Sequence, residues 1–224
     1  MPNLLNAARV LFSITLPLVL GSSGCDRVSE EAPAPIVDQS SLPIGPLHAT
    51  IATRHGDIRI RLRPDAAPIT CANFVNLVDR GFYDGLRFYQ QSRVIRQVGN
   101  PYHDRDRRWS PGYTINPEFS ADLRFDVGGR VAMVRETDDP AAPVRPSEFF
   151  ITTKPQTERF TFTYPIFGEV VSGQDAVNRL VIDDVIERIE IEGDTGPLLA
   201  RHEALVAAWS KALDDSEFGA RKRP

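Results

Sequence analysis

The sequence predicts a mainly β domain interrupted by two helices, with an extra helix at its C-terminal end. Three observations carry this expectation. Short runs rich in β-branched and aromatic residues, bounded by Gly, Pro, Asn and Asp, recur along the chain. Two of them, residues 86–91 and 94–98, flank a polar Ser92-Arg93 junction as the arms of a hairpin do. Residues 185–191 alternate apolar and polar side chains, the period of a half-buried strand. With 224 residues the chain can build one sizeable core but not two ordinary domains with linkers. A net charge of -4, with 8% aromatic residues, lacks the basic bias of a nucleic-acid partner, and none is expected. Cys25 and Cys71, the two cysteines, stand in contexts too different for a disulfide framework or a thiolate metal site.

Residues 1–25 read as a secretory signal. Arg9 follows a short polar start, residues 10–20 are almost wholly apolar, and Gly21-Ser22-Ser23-Gly24 supplies small residues before Cys25. The apolar run is short for a membrane span. A small pair directly before a cysteine also resembles the lipobox of bacterial lipoproteins, with Ser22 where that pattern usually carries leucine. Cys25 is therefore the expected lipidation site, and the chain is expected to be exported and tethered to a membrane in the periplasm or another extracytoplasmic space; plain secretion is the alternative. Residues 26–46, with Ala32-Pro33-Ala34-Pro35 near the start and Pro43 and Pro46 at the end, read as a Pro-rich linker.

Taken in order, residues 49–62 form an opening hairpin turning at His55-Gly56-Asp57. Cys71, Phe74, Val75, Leu77 and Val78 recur at helical spacing between Pro68 and Arg80, which predicts a helix with one buried stripe that Gly81 stops, and makes Cys71 a core residue. The 86–98 hairpin follows, with Ile95 and Gln97 on one face and Arg96 on the other. Residues 103–110 read as a solvated loop whose Arg and Asp charges offset one another, 128–135 as a strand, and 136–146 as an exposed loop rich in proline. In strand 147–152 the adjacent Phe149 and Phe150 must face opposite sides. Residues 166–171 are another strand and 174–180 a second helix. Beyond Gly193, Pro197 marks a helix start, and Leu198, Leu205, Val206, Trp209 and Leu213 supply a face expected to dock on the domain.

The run from Tyr83 to Pro101, with Asp65–Phe74 upstream and Ser147-Glu148-Phe149-Phe150-Ile151 and Ile166-Phe167-Gly168 downstream, resembles the cyclophilin family of peptidyl-prolyl isomerases. The resemblance spans a domain at 47–193, leaving a helical tail at 194–224, and implies a closed antiparallel barrel capped by two helices. It implies a monomeric enzyme that isomerises proline-containing polypeptides without a cofactor or metal. His48, His55, His103 and His202 lie in unrelated segments, and no Gly-x-Ser-x-Gly occurs, so neither a metal site nor a serine hydrolase is favoured.

Carried over residue by residue, the resemblance makes Gln97 the glutamine of the Gln-Gly-Gly motif, with Val98 replacing the first glycine. Ile95, Phe150 and Phe160 fall at pocket positions. Glu148 stands for the family's glutamine, Tyr164 for its histidine and Val134-Arg135 for a common Ala-Asn. The Phe-His-Arg triplet reads Phe88-Tyr89-Gln90, so the catalytic arginine position holds Gln90, and the hairpin is one residue short. A gapped alignment would let Arg93 take the arginine's part. Two outcomes stay open: an isomerase, with activity reduced by the arginine-to-glutamine change, or a proline-peptide binding module that no longer turns over.

Overall fold

Strand β1 (His48–Ala52) turns back on β2 (Ile58–Leu62), pairing Ala49 with Ile60, and the alternation read from the sequence puts Ala49, Ile51, Ile58, Ile60 and Leu62 inside. This opens a computed structural model that describes residues 38–137, 139 and 141–218. The expected signal, Cys25, the linker before Asp38 and the chain beyond Phe218 lie outside those residues.

The predicted hairpin is β3 (Gln90–Gln91) and β4 (Ile95–Val98), closed by the Ser92 N–H donating to the Ile95 carbonyl at 3.1 Å. With β5 (Arg130–Arg135), β6 (Val144–Thr152), β7 (Ile166–Ser172) and β8 (Arg188–Glu192), they make one antiparallel sheet in the order β3-β4-β6-β5-β7-β2-β1-β8. The sheet curls without the strand-paired closure expected of a barrel, because β3 and β8 remain its edges. The residues just before those strands meet instead. Arg87 bridges Val185, and Leu86, Phe88, Asp184 and Ile186 exchange backbone hydrogen bonds of 2.8 Å.

Helix α1 (Pro68–Asp79) starts with proline in its first turn and ends before Gly81, as predicted, but it buries every residue from Thr70 to Val78 rather than one stripe. It packs against β6 and β8 on one side and the C-terminal helices on the other, so no face is left to solvent. Cys71 is a free, wholly buried core thiol, and burial pushes its pKa up. Ala67 offers no side-chain cap. The exposed N–H groups of α1 are met by Glu118, whose carboxylate accepts from Ile69 N (3.1 Å), Thr70 N (2.8 Å) and Thr70 Oγ1 (2.7 Å).

A short helix α2 (Thr157–Phe160) is not among the elements expected from the sequence, and α3 (Gln174–Arg179) is the expected second helix. The tail forms two helices, α4 (Gly196–Arg201) and α5 (Glu203–Asp214), broken at His202. Their Leu198, Trp209 and Leu213 join the main core, Val206 packs at its margin and Trp209 stacks on Tyr113 at 5.8 Å between ring centroids, so the tail docks through the expected face except at Leu205, which stays exposed.

Strand β6 begins at Val144, three residues earlier than the sequence suggests, and buries Val144, Arg145 and Pro146. The exposed-loop reading of 136–146 fails there. Phe149 points into the main core, while Phe150 joins a second apolar cluster with Leu123, Phe125, Ala132, Val134, Phe160 and Ile166.

Candidate active site

The second cluster lies under a row of paired residues. Gln90 sits opposite Gln97, Gln97 opposite Phe150, and Phe150 opposite Ala132. Directly opposed residues share a face of the sheet, so four strands deliver these side chains to one surface. A cavity of about 380 Å³ opens there, at the small end of the range for ligand sites.

One wall is apolar: Val94, Ile95, Val134, Phe150, Phe160 and Tyr164. Phe150 stands edge-on to Phe160 at 5.7 Å and to Tyr164 at 5.2 Å, and Phe125 stacks with it at 6.1 Å. These contacts lock the rings and keep the pocket formed.

The other wall is a polar chain. Gln97 Nε2 donates to the Tyr89 hydroxyl, which donates to the Glu148 carboxylate. Arg145 Nη1 donates to both Glu148 oxygens, at 3.2 and 3.1 Å, and its Nε lies 3.3 Å from Glu136. Burial and the Glu148 charge push the Tyr89 hydroxyl well above its ordinary pKa, so it remains a donor. Burial works against the Arg145 charge, but Glu148 and Glu136 outweigh it and raise its pKa. Arg145 is 9% exposed and lines the cavity.

Gln90, Gln97, Ile95, Val134, Phe150, Phe160 and Tyr164 thus meet in one cavity. Glu148 lies behind it, 1% exposed, holding Tyr89 and Arg145. Arg93 does not reach the site. It is an exposed residue of the hairpin turn, where its carbonyl accepts from Thr153 Oγ1 at 3.0 Å, and it is not among the residues that line the cavity. Arg96 faces away from Gln97, as alternation requires, and is buried donating to the carbonyls of Leu180 (2.7 Å) and Asn178 (3.0 Å).

Sequence reasoning missed Tyr89, Val94 and Arg145. Alternation would send Tyr89 away from its neighbour Gln90, but β3 begins only at Gln90 and the preceding backbone is free to turn the ring inward. The prolines around Arg145 signalled a loop. The 103–110 loop also departs from expectation: among the described residues none of its arginines pairs with its aspartates, and Arg105 and Arg108 face the cavity.

The family model for cyclophilin type peptidyl-prolyl cis-trans isomerase/CLD matches residues 48–194. Peptidyl-prolyl cis-trans isomerase B of Bacillus subtilis is 33% identical over 137 residues, spanning 61% of this chain and 91% of that protein. Peptidyl-prolyl cis-trans isomerase 10 of Caenorhabditis elegans is 31% identical over 157 residues, spanning 68% and 89%. Among solved structures, a Cryptosporidium parvum cyclophilin type isomerase aligns with a TM-score of 0.60 at 22% identity, covering 67% of this chain and 99% of that one. A structure of that protein in the presence of the dipeptide Ala-Pro aligns with a TM-score of 0.58. These two structures are alike in fold.

Proposed function

The chain belongs to the cyclophilin-type peptidyl-prolyl cis-trans isomerase family, and from that membership we propose that it isomerises X-Pro bonds in exported polypeptides while tethered through an acylated Cys25. The apolar run ending at Ser23-Gly24-Cys25 supports the tether. The observation that carries the activity is the cavity with a ring-lined apolar wall on one side and a fixed guanidinium on the other.

Rotation about an X-Pro bond meets a barrier of about 18–20 kcal/mol, because the amide nitrogen shares its lone pair with the carbonyl. At the twisted midpoint that lone pair is localised on nitrogen. A donor aimed at it then stabilises the midpoint more than either planar state, which is the condition for catalysis. In this site the prolyl ring packs among Val94, Ile95, Phe150 and Phe160, and Gln97, held by Tyr89, orients the peptide.

The position that the resemblance assigns to arginine is Gln90, whose amide is a weaker donor than a guanidinium. Arg145 supplies that guanidinium from β6. Its Nη1 donates to both Glu148 oxygens and its Nε lies 3.3 Å from Glu136 without a hydrogen bond, and Nη2 is the donor for the prolyl nitrogen. The substitution at Gln90 is thereby offset in part, and turnover is kept at a reduced level.

NMR exchange spectroscopy of an Ala-Pro peptide with the full-length protein tests this. Arg145→Lys keeps the charge facing Glu148 but loses the fork, and turnover should fall about tenfold, the worth of roughly 1.4 kcal/mol, with peptide affinity little changed. Unchanged turnover in Arg145→Lys removes the arginine from the mechanism. Peptide binding without exchange in the wild-type protein would make the chain a binding module.

A further inference from the structure

Five arginines line the cavity, Arg105, Arg108, Arg135, Arg145 and Arg159, against a single lining acid, Glu136. A pocket that only had to seat a prolyl ring would gain nothing from this charge. Arg145 is matched by Glu148 and Glu136, and Arg108 reaches Glu136 at 2.8 Å. Arg105 and Arg159 have no ion pair among the described residues; Arg159 only lies near the Phe160 ring, 5.8 Å from its centroid.

Arg135 is the most informative of the five. It is 5% exposed, and its Nη1 donates to the Thr163 carbonyl, yet its buried Nε and Nη2 have no hydrogen-bond partner. No carboxylate pairs with it among the described residues. A guanidinium taken out of water without a counter-charge is costly to maintain, and a planar pair of unmet donors is the half of a bidentate contact that a carboxylate or phosphate completes. Arg135 follows Val134 on β5, and both line the cavity in which the proline is proposed to sit. The exposed Arg105, Arg108 and Arg159 add a positive rim, and a cleft lined by one sign of charge concentrates the opposite sign.

We propose that this site selects polypeptides in which the proline is flanked by an anionic side chain, with Arg135 its principal contact and the three rim arginines drawing the peptide in. The proposal deepens the isomerase reading and rests on it for the seat of the proline.

The test uses Gly-X-Pro-X-Gly peptides with X as Glu, Gln, Lys or phosphoserine and the full-length protein. NMR titration gives affinity, and exchange spectroscopy separately gives turnover. The Glu peptide should bind at least about tenfold more tightly than the Gln peptide, the worth of one desolvated charged hydrogen bond, and the Lys peptide most weakly. Added salt should narrow the Glu-to-Gln ratio. Arg135→Gln should bring that ratio toward one. Arg159→Gln, at an exposed position where folding is not at stake, should narrow it as well. The phosphoserine arm separates the two sources of anion: tighter binding than Glu points to phosphorylated chains, equal or weaker binding to acidic ones. Equal binding of the Glu and Gln peptides overturns the proposal, as does a ratio that Arg135→Gln and Arg159→Gln both leave intact. Because affinity is read independently of exchange, a peptide series that binds with this preference but is not isomerised would defeat the isomerase reading alone.

Discussion

The hydroxyl of Tyr102 donates to the Glu217 carboxylate at 2.8 Å, joining the loop after β4 to the end of the C-terminal helices. Phe218 reinforces the link, edge-on to Tyr102 at 5.1 Å and to Trp109 at 5.9 Å, while Trp109 stacks on Phe82 at 5.2 Å. The Arg107 guanidinium covers the Tyr102 ring at 3.5 Å. The loop that brings Arg105 and Arg108 to the cavity is therefore held from both ends.

Replacing Glu217 and Phe218 by alanine should loosen this loop at a cost of about 1–3 kcal/mol in local docking. Amide hydrogen exchange should quicken across residues 101–110, while α1 and the central strands stay protected. Unchanged exchange in that segment would show that the loop holds itself.

Gln90→Arg places a second guanidinium on the cavity face, opposite Gln97. In the wild-type background, on the role proposed for Arg145, turnover should change by less than about threefold, well under the tenfold that 1.4 kcal/mol represents. In the Arg145→Lys background the same substitution should restore most of the lost turnover. Equal effects in both backgrounds would mean that the two side chains do not share a role.

The Gln97-Val98-Gly99 run keeps one of the family's two glycines for a local reason. Gly99 has φ +107°, and a Cβ there would come within 2.0 Å of the Ser147 carbonyl. Val98 is fully buried in β4. Gly99→Ala should thus destabilise the fold by more than about 2 kcal/mol through strain and clash. Val98→Gly should cost a comparable amount, about 2–4 kcal/mol, through lost burial and added chain entropy. Denaturant melts of the two variants check this, and a neutral Gly99→Ala would contradict the close approach of β4 to β6.

Glu169 on β7 accepts from Arg130 (2.6 Å) and Arg61 Nε (3.0 Å), its partners across the neighbouring strands. Burial would raise its pKa, but the bonds and charge of Arg61, then those of Arg130, hold it below the ordinary value. Its stabilisation is complete above the unfolded pKa of about 4.3 and disappears as pH falls through the lower folded value. The melting-temperature gap between wild type and Glu169→Gln should accordingly be full at neutral pH and close on acidification below about pH 4. A gap that stays constant into acid would show that it does not arise from the ionisation of Glu169.

The period of the side chains settled everything that depends on neighbours along the chain. Alternation separated Ile95 and Gln97 from Arg96 in β4 and sent Phe149 and Phe150 of β6 to opposite faces, and helical spacing made Cys71 a core residue of α1, before any contact was known. The family resemblance, rather than the period, assigned Ile95, Val134, Phe150, Phe160 and Tyr164 to the pocket whose wall they form. The period could not reach what depends on which strands become neighbours. Arg145 enters the site because β6 starts early beside β5, where Glu148 and Glu136 flank it; the prolines next to it signal a loop, and only the strand pairing shows that it lines the cavity. Tyr89 turns inward because β3 has not yet begun, and α1 loses its solvent face because a segment more than a hundred residues later in the chain covers it. Local pattern decides which way a side chain points from its own backbone; the packing of distant segments decides what it meets there, and with it which charges are left unpaired.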